Sequence, residues 1–187
     1  EGELLAVDGS KGRVYLGLTE EEARSYEQER ADYLLLKESL RCFIGCEARL
    51  RDGERFRLAV NVSNENDVLR AEELGCDGVG LFRSEYLYQS REVLPDEEEQ
   101  FKVYRRMALA MKGRPLVIRS LDVGGDKELP YLEQEREDNP FLGCRGLRLC
   151  LREEELFLGQ LRAVLRAGAF GDVRLMLPMV ATVDEIR

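Results

Sequence analysis

Apolar and polar residues follow three different textures along the chain. Over residues 3–16 two short apolar runs, Leu4-Leu5-Ala6-Val7 and Val14-Tyr15-Leu16, flank a glycine-containing turn, which predicts a β-hairpin. A lone hairpin is marginal in water, so it reads as the remnant of a neighbouring domain. From Thr19 a Glu-, Arg- and Leu-rich run without proline extends to about Cys46, with Glu22 three residues after a Thr19 cap, and this predicts one long helix. Few bulky apolar residues precede Tyr33, the pattern of a partly solvated connecting helix.

After Arg51-Asp-Gly53 the texture changes to strands alternating with helical patterns. Strands are predicted over 56–62, 78–82, 116–121 and 173–180, and amphipathic helices over 65–74, 96–111 and 153–167. Continuous apolar strands in series with helices mean a parallel sheet covered by helices, an α/β architecture. At Thr182 a further helix is predicted to open, with Glu185 at the capping-box position. Four such units make half of a closed (β/α)8 barrel of the TIM type.

Composition narrows the chemistry. The 187 residues are 44% hydrophobic and 35% charged, a packed protein with a heavily solvated surface. Lys and Arg number 28 against 37 Asp and Glu, for a net charge of −9, the wrong sign for nucleic acid or an anionic membrane. Any anion must therefore meet a local basic pocket. The absence of histidine excludes a Ser-His-Asp triad, a Cys-His dyad and His-ligated zinc within this chain. Five cysteines with no Cys-x-x-Cys pair fit a reducing cytoplasm better than a disulfide framework. Neither a signal peptide nor a membrane span is visible, and the start at Glu1-Gly2-Glu3 without a methionine reads as a fragment.

In parallel α/β folds binding residues gather at the carboxyl ends of strands. The second strand runs into Arg83-Ser84-Glu85, and the third into Arg119-Ser-Leu-Asp122-Val-Gly-Gly-Asp126-Lys127. Two arginines at equivalent ends of neighbouring strands converge on one patch, and two guanidinium forks can hold an anion of several charges. The plainer alternative for Arg83 is an ion pair with Glu85 or another acid. Gly124-Gly125 either permits a tight turn or brings backbone N–H groups and Lys127 to the anion. Arg145 reads as a third anion ligand or, more readily, as a brace on nearby acids. Cys42 and Cys46, four residues apart, read as helix packing rather than a metal site, and Asp96-Glu-Glu-Glu99 as N-terminal stabilisation of a helix.

The segments Gly80-Leu-Phe-Arg-Ser-Glu-Tyr-Leu-Tyr88, Leu94-Pro-Asp-Glu-Glu-Glu-Gln-Phe101, Val117-Ile-Arg-Ser-Leu-Asp-Val-Gly-Gly-Asp-Lys-Glu-Leu-Pro-Tyr131 and Asn139-Pro-Phe-Leu-Gly-Cys-Arg145 resemble the enzyme I family of the bacterial sugar phosphotransferase system, the phosphoenolpyruvate-protein phosphotransferases. The resemblance continues through Gln160-Leu-Arg-Ala-Val-Leu-Arg-Ala167 and Met176-Leu-Pro-Met179. It implies that phosphoenolpyruvate binds at the carboxyl end of a (β/α)8 barrel, with Arg83 and Arg119 as substrate ligands and Asp122, Lys127 and Arg145 behind them. It further implies Mg²⁺ held by acids outside this chain, transfer of the phosphoryl group to a histidine of a swivelling domain and then to the phosphocarrier protein HPr, a homodimeric parent, and a role in cytoplasmic sugar uptake. No catalytic residue and no metal ligand of the family falls in this chain. Ser84 and Ser120 replace the family's threonines, and Cys144 stands where a larger aromatic is expected.

The implied organisation is 1–18 as the end of the phosphohistidine domain, 19–52 as the linker helix and 53–187 as the first half of the barrel. A stand-alone anion-binding module without turnover, an assembly segment, and a piece of a related phosphoenolpyruvate-utilising enzyme are the alternatives. The first predicts phosphoenolpyruvate binding by this chain alone, and the second concentration-dependent oligomers without ligand.

Overall fold

The computed structural model describes residues 4–89, 91–124, 129, 131–132, 138–139 and 141–187. The chain divides into two compact units, Glu1–Cys46 and Glu47–Arg187.

In the first unit, β1 (Leu5–Asp8) pairs antiparallel with β2 (Arg13–Leu16), with Val7 opposite Val14. The turn is built by Asp8, whose Oδ1 accepts the N–H groups of Ser10 and Lys11 at 3.0 Å each. Helix α1 (Glu20–Ser39) begins at Thr19 with a reciprocal capping box: the Thr19 side chain accepts from Glu22 N and the Glu22 carboxylate from Thr19 N. None of its residues is buried, as its scattered charges require. The helix is shorter than the run to Cys46 predicted. It tightens into a 3₁₀ turn at Leu40–Phe43, and Gly45 takes a left-handed φ of +77° that an α-helix does not continue through. Cys42 and Cys46 are consequently exposed beyond the helix rather than packed on it, their thiols reaching the carbonyls of Ser39 and Cys42.

The second unit holds a four-stranded parallel sheet in the order β3 (Ala59–Val62), β4 (Gly78–Arg83), β5 (Leu116–Arg119), β6 (Val173–Met176). Helices α2 (Glu65–Glu73), α4 (Glu97–Ala110) and α6 (Glu154–Ala167) connect successive strands, each starting where its cap or acidic first turn indicates. Val62, Val79, Phe82, Leu116 and Ile118 from the strands pack with Val68, Tyr104, Met107, Met111, Ala163 and Val164 from the helices in one core. A second buried cluster, with Leu121, Val123, Leu147, Leu149, Cys150 and Leu156, lies just past the end of β5.

All four strands are observed, though three are shorter than predicted. β6 stops at Met176 because Pro178 has no N–H for the ladder and Met179 turns to φ +61°. Two short helices, α3 (Glu85–Gln89) and α5 (Leu147–Arg152), fall in segments without enough length to show a period. At Thr182 the predicted capping contacts form, Glu185 N to Thr182 Oγ1 at 3.3 Å and Thr182 N to Glu185 Oε2 at 2.9 Å, on a turn rather than a regular helix. Among the described residues no helix is long and apolar enough to cross a membrane.

Candidate functional site

The strand register brings the two candidate arginines together. Arg83 closes β4 and Arg119 closes β5, and they are direct partners across the parallel ladder, so their side chains leave the same face of the sheet side by side. Arg83 is exposed, and no acidic side chain among the described residues pairs with it. The Arg83–Glu85 pair that the sequence offers as an alternative is not formed.

Glu85 instead turns to Arg119. Its carboxylate, in a residue only 2% exposed, accepts from Arg119 Nη2, while Arg119 Nη1 lies 2.9 Å from Asp122 Oδ2. The other Asp122 oxygen accepts from Arg145 Nε at 3.1 Å. Glu85, Arg119, Asp122 and Arg145 thus form a chain of alternating charge whose members are largely buried, which suits it because an unpaired buried charge would cost several kcal/mol. Each terminal nitrogen of Arg119 carries two N–H groups and commits one to a carboxylate, leaving donors on a guanidinium that cannot swing away. Arg145, 9% exposed, also lies over the Phe141 ring at 5.2 Å, so this guanidinium is fixed from two sides.

The loop after β5 and the loop before α5 are closely fitted. Gly146 N donates to Val123 O at 3.2 Å, and a Cβ at Gly124, whose φ is +122°, would stand 2.9 Å from Cys144 O and 3.0 Å from Arg145 Cβ. Gly124→Ala should therefore destabilise the protein by more than the ~1 kcal/mol of an ordinary left-handed glycine, because both the backbone angle and the contact are unfavourable. Denaturant titration with an unchanged midpoint would refute this. Gly125, Asp126 and the candidate Lys127 lie outside the described residues.

Several polar residues of this region carried no functional reading in the sequence. Ser84 Oγ donates to Arg119 O at 2.7 Å, stitching β4 to β5 beside the arginines. Behind it Gln160, fully buried on α6, and Tyr104 and Gln100 on α4 continue the hydrogen bonding to Tyr88 on α3. The available signal was a glutamine within the inward stripe Leu156, Gln160, Ala163, Val164, Ala167 of α6. Burial pushes the Tyr88 phenol well above its ordinary range, with the neighbouring Tyr104 adding to it, so these hydroxyls are neutral hydrogen-bonding groups.

Cys150 is buried under the site, its Sγ reaching Leu121 O at 3.5 Å, and burial, with the Asp122 charge adding to it, pushes its thiol up to about 12. In the folded protein, alkylation at pH 8 should label the exposed Cys42 and Cys46 within minutes and leave Cys150 unmodified until denaturant is added. Mass spectrometry finding Cys150 modified at the rate of Cys42 would contradict that.

The chain matches the family described as "PEP-utilising enzyme, PEP-binding domain" over residues 37–187. It is 45% identical to the phosphoenolpyruvate-protein phosphotransferase of Staphylococcus carnosus over 186 residues, 46% identical to that of Priestia megaterium and 44% identical to that of Geobacillus stearothermophilus. Each alignment covers 100% of this chain and 32% of the relative, so the chain spans about a third of the length of the curated relatives it matches. A family match across the parallel sheet and both arginine-bearing strand ends means that this chain belongs to the phosphoenolpyruvate-utilising enzymes, in the family of their phosphoenolpyruvate-binding domain.

Proposed function

We propose that this chain serves as the linker helix and first half of the (β/α)8 barrel of a phosphoenolpyruvate-protein phosphotransferase, and that Arg83 and Arg119 hold phosphoenolpyruvate there. The observation that carries the reading is the ladder pairing of Arg83 with Arg119 at the carboxyl ends of β4 and β5. Support comes from the phosphotransferase relatives at about 45% identity along the whole chain. In this reading the hairpin ends a phosphohistidine domain within 1–18, the linker occupies 19–52, and the barrel begins at 53. The parent is a cytoplasmic homodimer that passes the phosphoryl group through its own histidine to HPr for sugar uptake.

The two arginines would work differently. Arg119 is held in place by Glu85 and Asp122 before any ligand arrives, so little ordering remains for binding to oppose. Arg83, free of acids among the described residues, closes onto the phosphate or carboxylate from the exposed side. Together they offset charge that develops on the transferring group. Asp122 and Arg145 keep Arg119 in position, and Lys127 is assigned to the same support. Phosphoryl transfer breaks the phosphorus–oxygen bond of phosphoenolpyruvate and forms a phosphorus–nitrogen bond to a histidine, releasing the enolate of pyruvate, which takes up a proton on carbon to give pyruvate. This chain has no histidine, so that group lies outside it.

Mg²⁺ is a cofactor of the proposed parent, yet the acids of this patch do not fit it. Both oxygens of Asp122 and one of Glu85 are committed to guanidinium groups, which leaves Glu85 Oε2 as a single uncommitted oxygen, and the described residues contain no cluster of three or more candidate ligands. No step here passes through the metal. Calorimetric titration of the full chain with phosphoenolpyruvate, against pyruvate as a control, tests the binding role. Heat of binding with phosphoenolpyruvate and none with pyruvate is expected, without pyruvate release. Equal affinity for both would refute recognition of the phosphate, and steady pyruvate release would refute the assignment of the chemistry to groups elsewhere.

A further inference from the structure

We infer that Gln160, a residue of the helical layer that reaches no solvent, is the positioning residue that aligns Arg119 and Asp122 for the anion. This extends the phosphoenolpyruvate reading of the site and rests on it only for the identity of the ligand. Past Ser120, whose N–H still bonds Met176 O at 2.9 Å, the ladder of β5 with β6 ends, and the next N–H, that of Leu121, donates at 2.9 Å to Gln160 Oε1. A backbone N–H only donates, so this one bond decides which way the amide faces. The Gln160 NH₂ group must then donate, and it does so to Ser84 Oγ at 3.1 Å and Tyr104 Oη at 3.3 Å.

Both hydroxyls, accepting a hydrogen bond from Gln160, direct their own O–H groups onward. Ser84 donates to the carbonyl of Arg119 at 2.7 Å. Tyr104 donates to Gln100 Oε1 at 3.2 Å, an oxygen that also accepts from Tyr88 at 2.8 Å, while Gln100 Nε2 donates to Pro95 O at 3.0 Å. Gln160 is therefore the branch point of a directed network that reaches both ends of the segment 119–121, the Arg119 carbonyl through Ser84 and the Leu121 amide directly. Asp122, whose two oxygens hold Arg119 and Arg145, follows at once. No neighbouring strand supplies the contact of the Leu121 N–H, because the register of β5 with β6 ends at Arg119 opposite Met176 and its last bond is that of Ser120. An apolar side chain there would leave the Leu121 N–H without a partner in a dry interior and the Ser84 hydroxyl without the donor that orients it.

The test uses Gln160→Leu, similar in size but apolar, and Ser84→Ala, which removes the hydroxyl that links Gln160 to the Arg119 carbonyl and leaves the bond from Leu121 N–H to Gln160 in place. In the ligand-free chain, Gln160→Leu should raise amide hydrogen exchange at Leu121 by about tenfold or more, the loss of one buried hydrogen bond, while Val79 and Leu81 in β4 exchange as before. In phosphoenolpyruvate titrations both substitutions should weaken binding, by about tenfold for Gln160→Leu and less for Ser84→Ala, with no further loss when added to Arg119→Ala. Unchanged exchange at Leu121 overturns the inference, as does an affinity loss that is just as large without Arg119, since that is general loosening. Ser84→Ala carries the binding arm if Gln160→Leu raises exchange throughout β4. A wild-type chain that shows the exchange pattern but binds no phosphoenolpyruvate upholds the positioning of Arg119 and removes only the substrate reading.

Discussion

Arg83→Ala, introduced into a full-length phosphotransferase carrying this sequence, should lower kcat/KM for phosphoenolpyruvate by about 10²–10³-fold, the loss that accompanies removal of one charged donor from a preorganised site. Its thermal stability should move little, because the side chain is exposed and touches no acid among the described residues. Arg119→Ala should lose at least as much activity and also stability, since it strands the buried carboxylate of Glu85 and leaves Asp122 with Arg145 alone. Arg119→Lys restores the charge but not the planar fork, so it should recover part of the stability and little of the activity. Steady-state kinetics beside thermal melts separate these outcomes. Near-wild-type kinetics for Arg83→Ala would remove that residue from the site whatever the other variants do.

Asp122→Ala carries the largest expected effect on folding. One carboxylate there pairs with two guanidinium groups, Arg119 at 2.9 Å and Arg145 at 3.1 Å, in a residue that is 5% exposed. Removing one partner from a buried ionic cluster costs about 3–5 kcal/mol, because the charges left behind keep their desolvation penalty. For a domain of this size that corresponds to a fall in melting temperature on the order of 10 °C. Asp122→Asn keeps the shape and one acceptor oxygen but presents an amide NH₂ to a cation, so it should fall between Asp122→Ala and the wild type. A melting temperature within a degree of wild type for Asp122→Ala would mean that the chain of charges is not a stabilising unit. The proposed site would then need another explanation for the fixed position of Arg119.

Much of the frame was legible in the sequence because its determinants are local. Thr19 with Glu22 caps a helix in the structure as its spacing indicated, since a capping box needs only four consecutive residues, and the acidic run Asp96–Glu99 opens a helix as its charge indicated, with a capping box that the structure adds. The four strands could be read from uninterrupted apolar runs, and their parallel order from the helical patterns between them. Both arginines could be placed at strand ends, because the apolar run stops where each begins. The family resemblance rested on the same strand-end segments, and the match over 37–187 agrees with it.

What required the tertiary structure was the set of partners. Glu85 lies two residues from Arg83 and yet pairs with Arg119, 34 residues away, because the sheet register and the start of α3 turn its carboxylate across to the neighbouring strand. Gln160 reaches Ser84 over 76 residues, and in sequence it is only a polar interruption in an apolar helical stripe. The end of β5 was misplaced for the same reason: Leu121 continues the apolar run, but its N–H finds a side chain instead of a strand. Hydrophobic periodicity and caps depend on neighbours along the chain and so determined the elements. Charge pairing and buried hydrogen bonding depend on which atoms meet in a dry interior, where a missing partner costs more than any local preference supplies, and folding alone decided them.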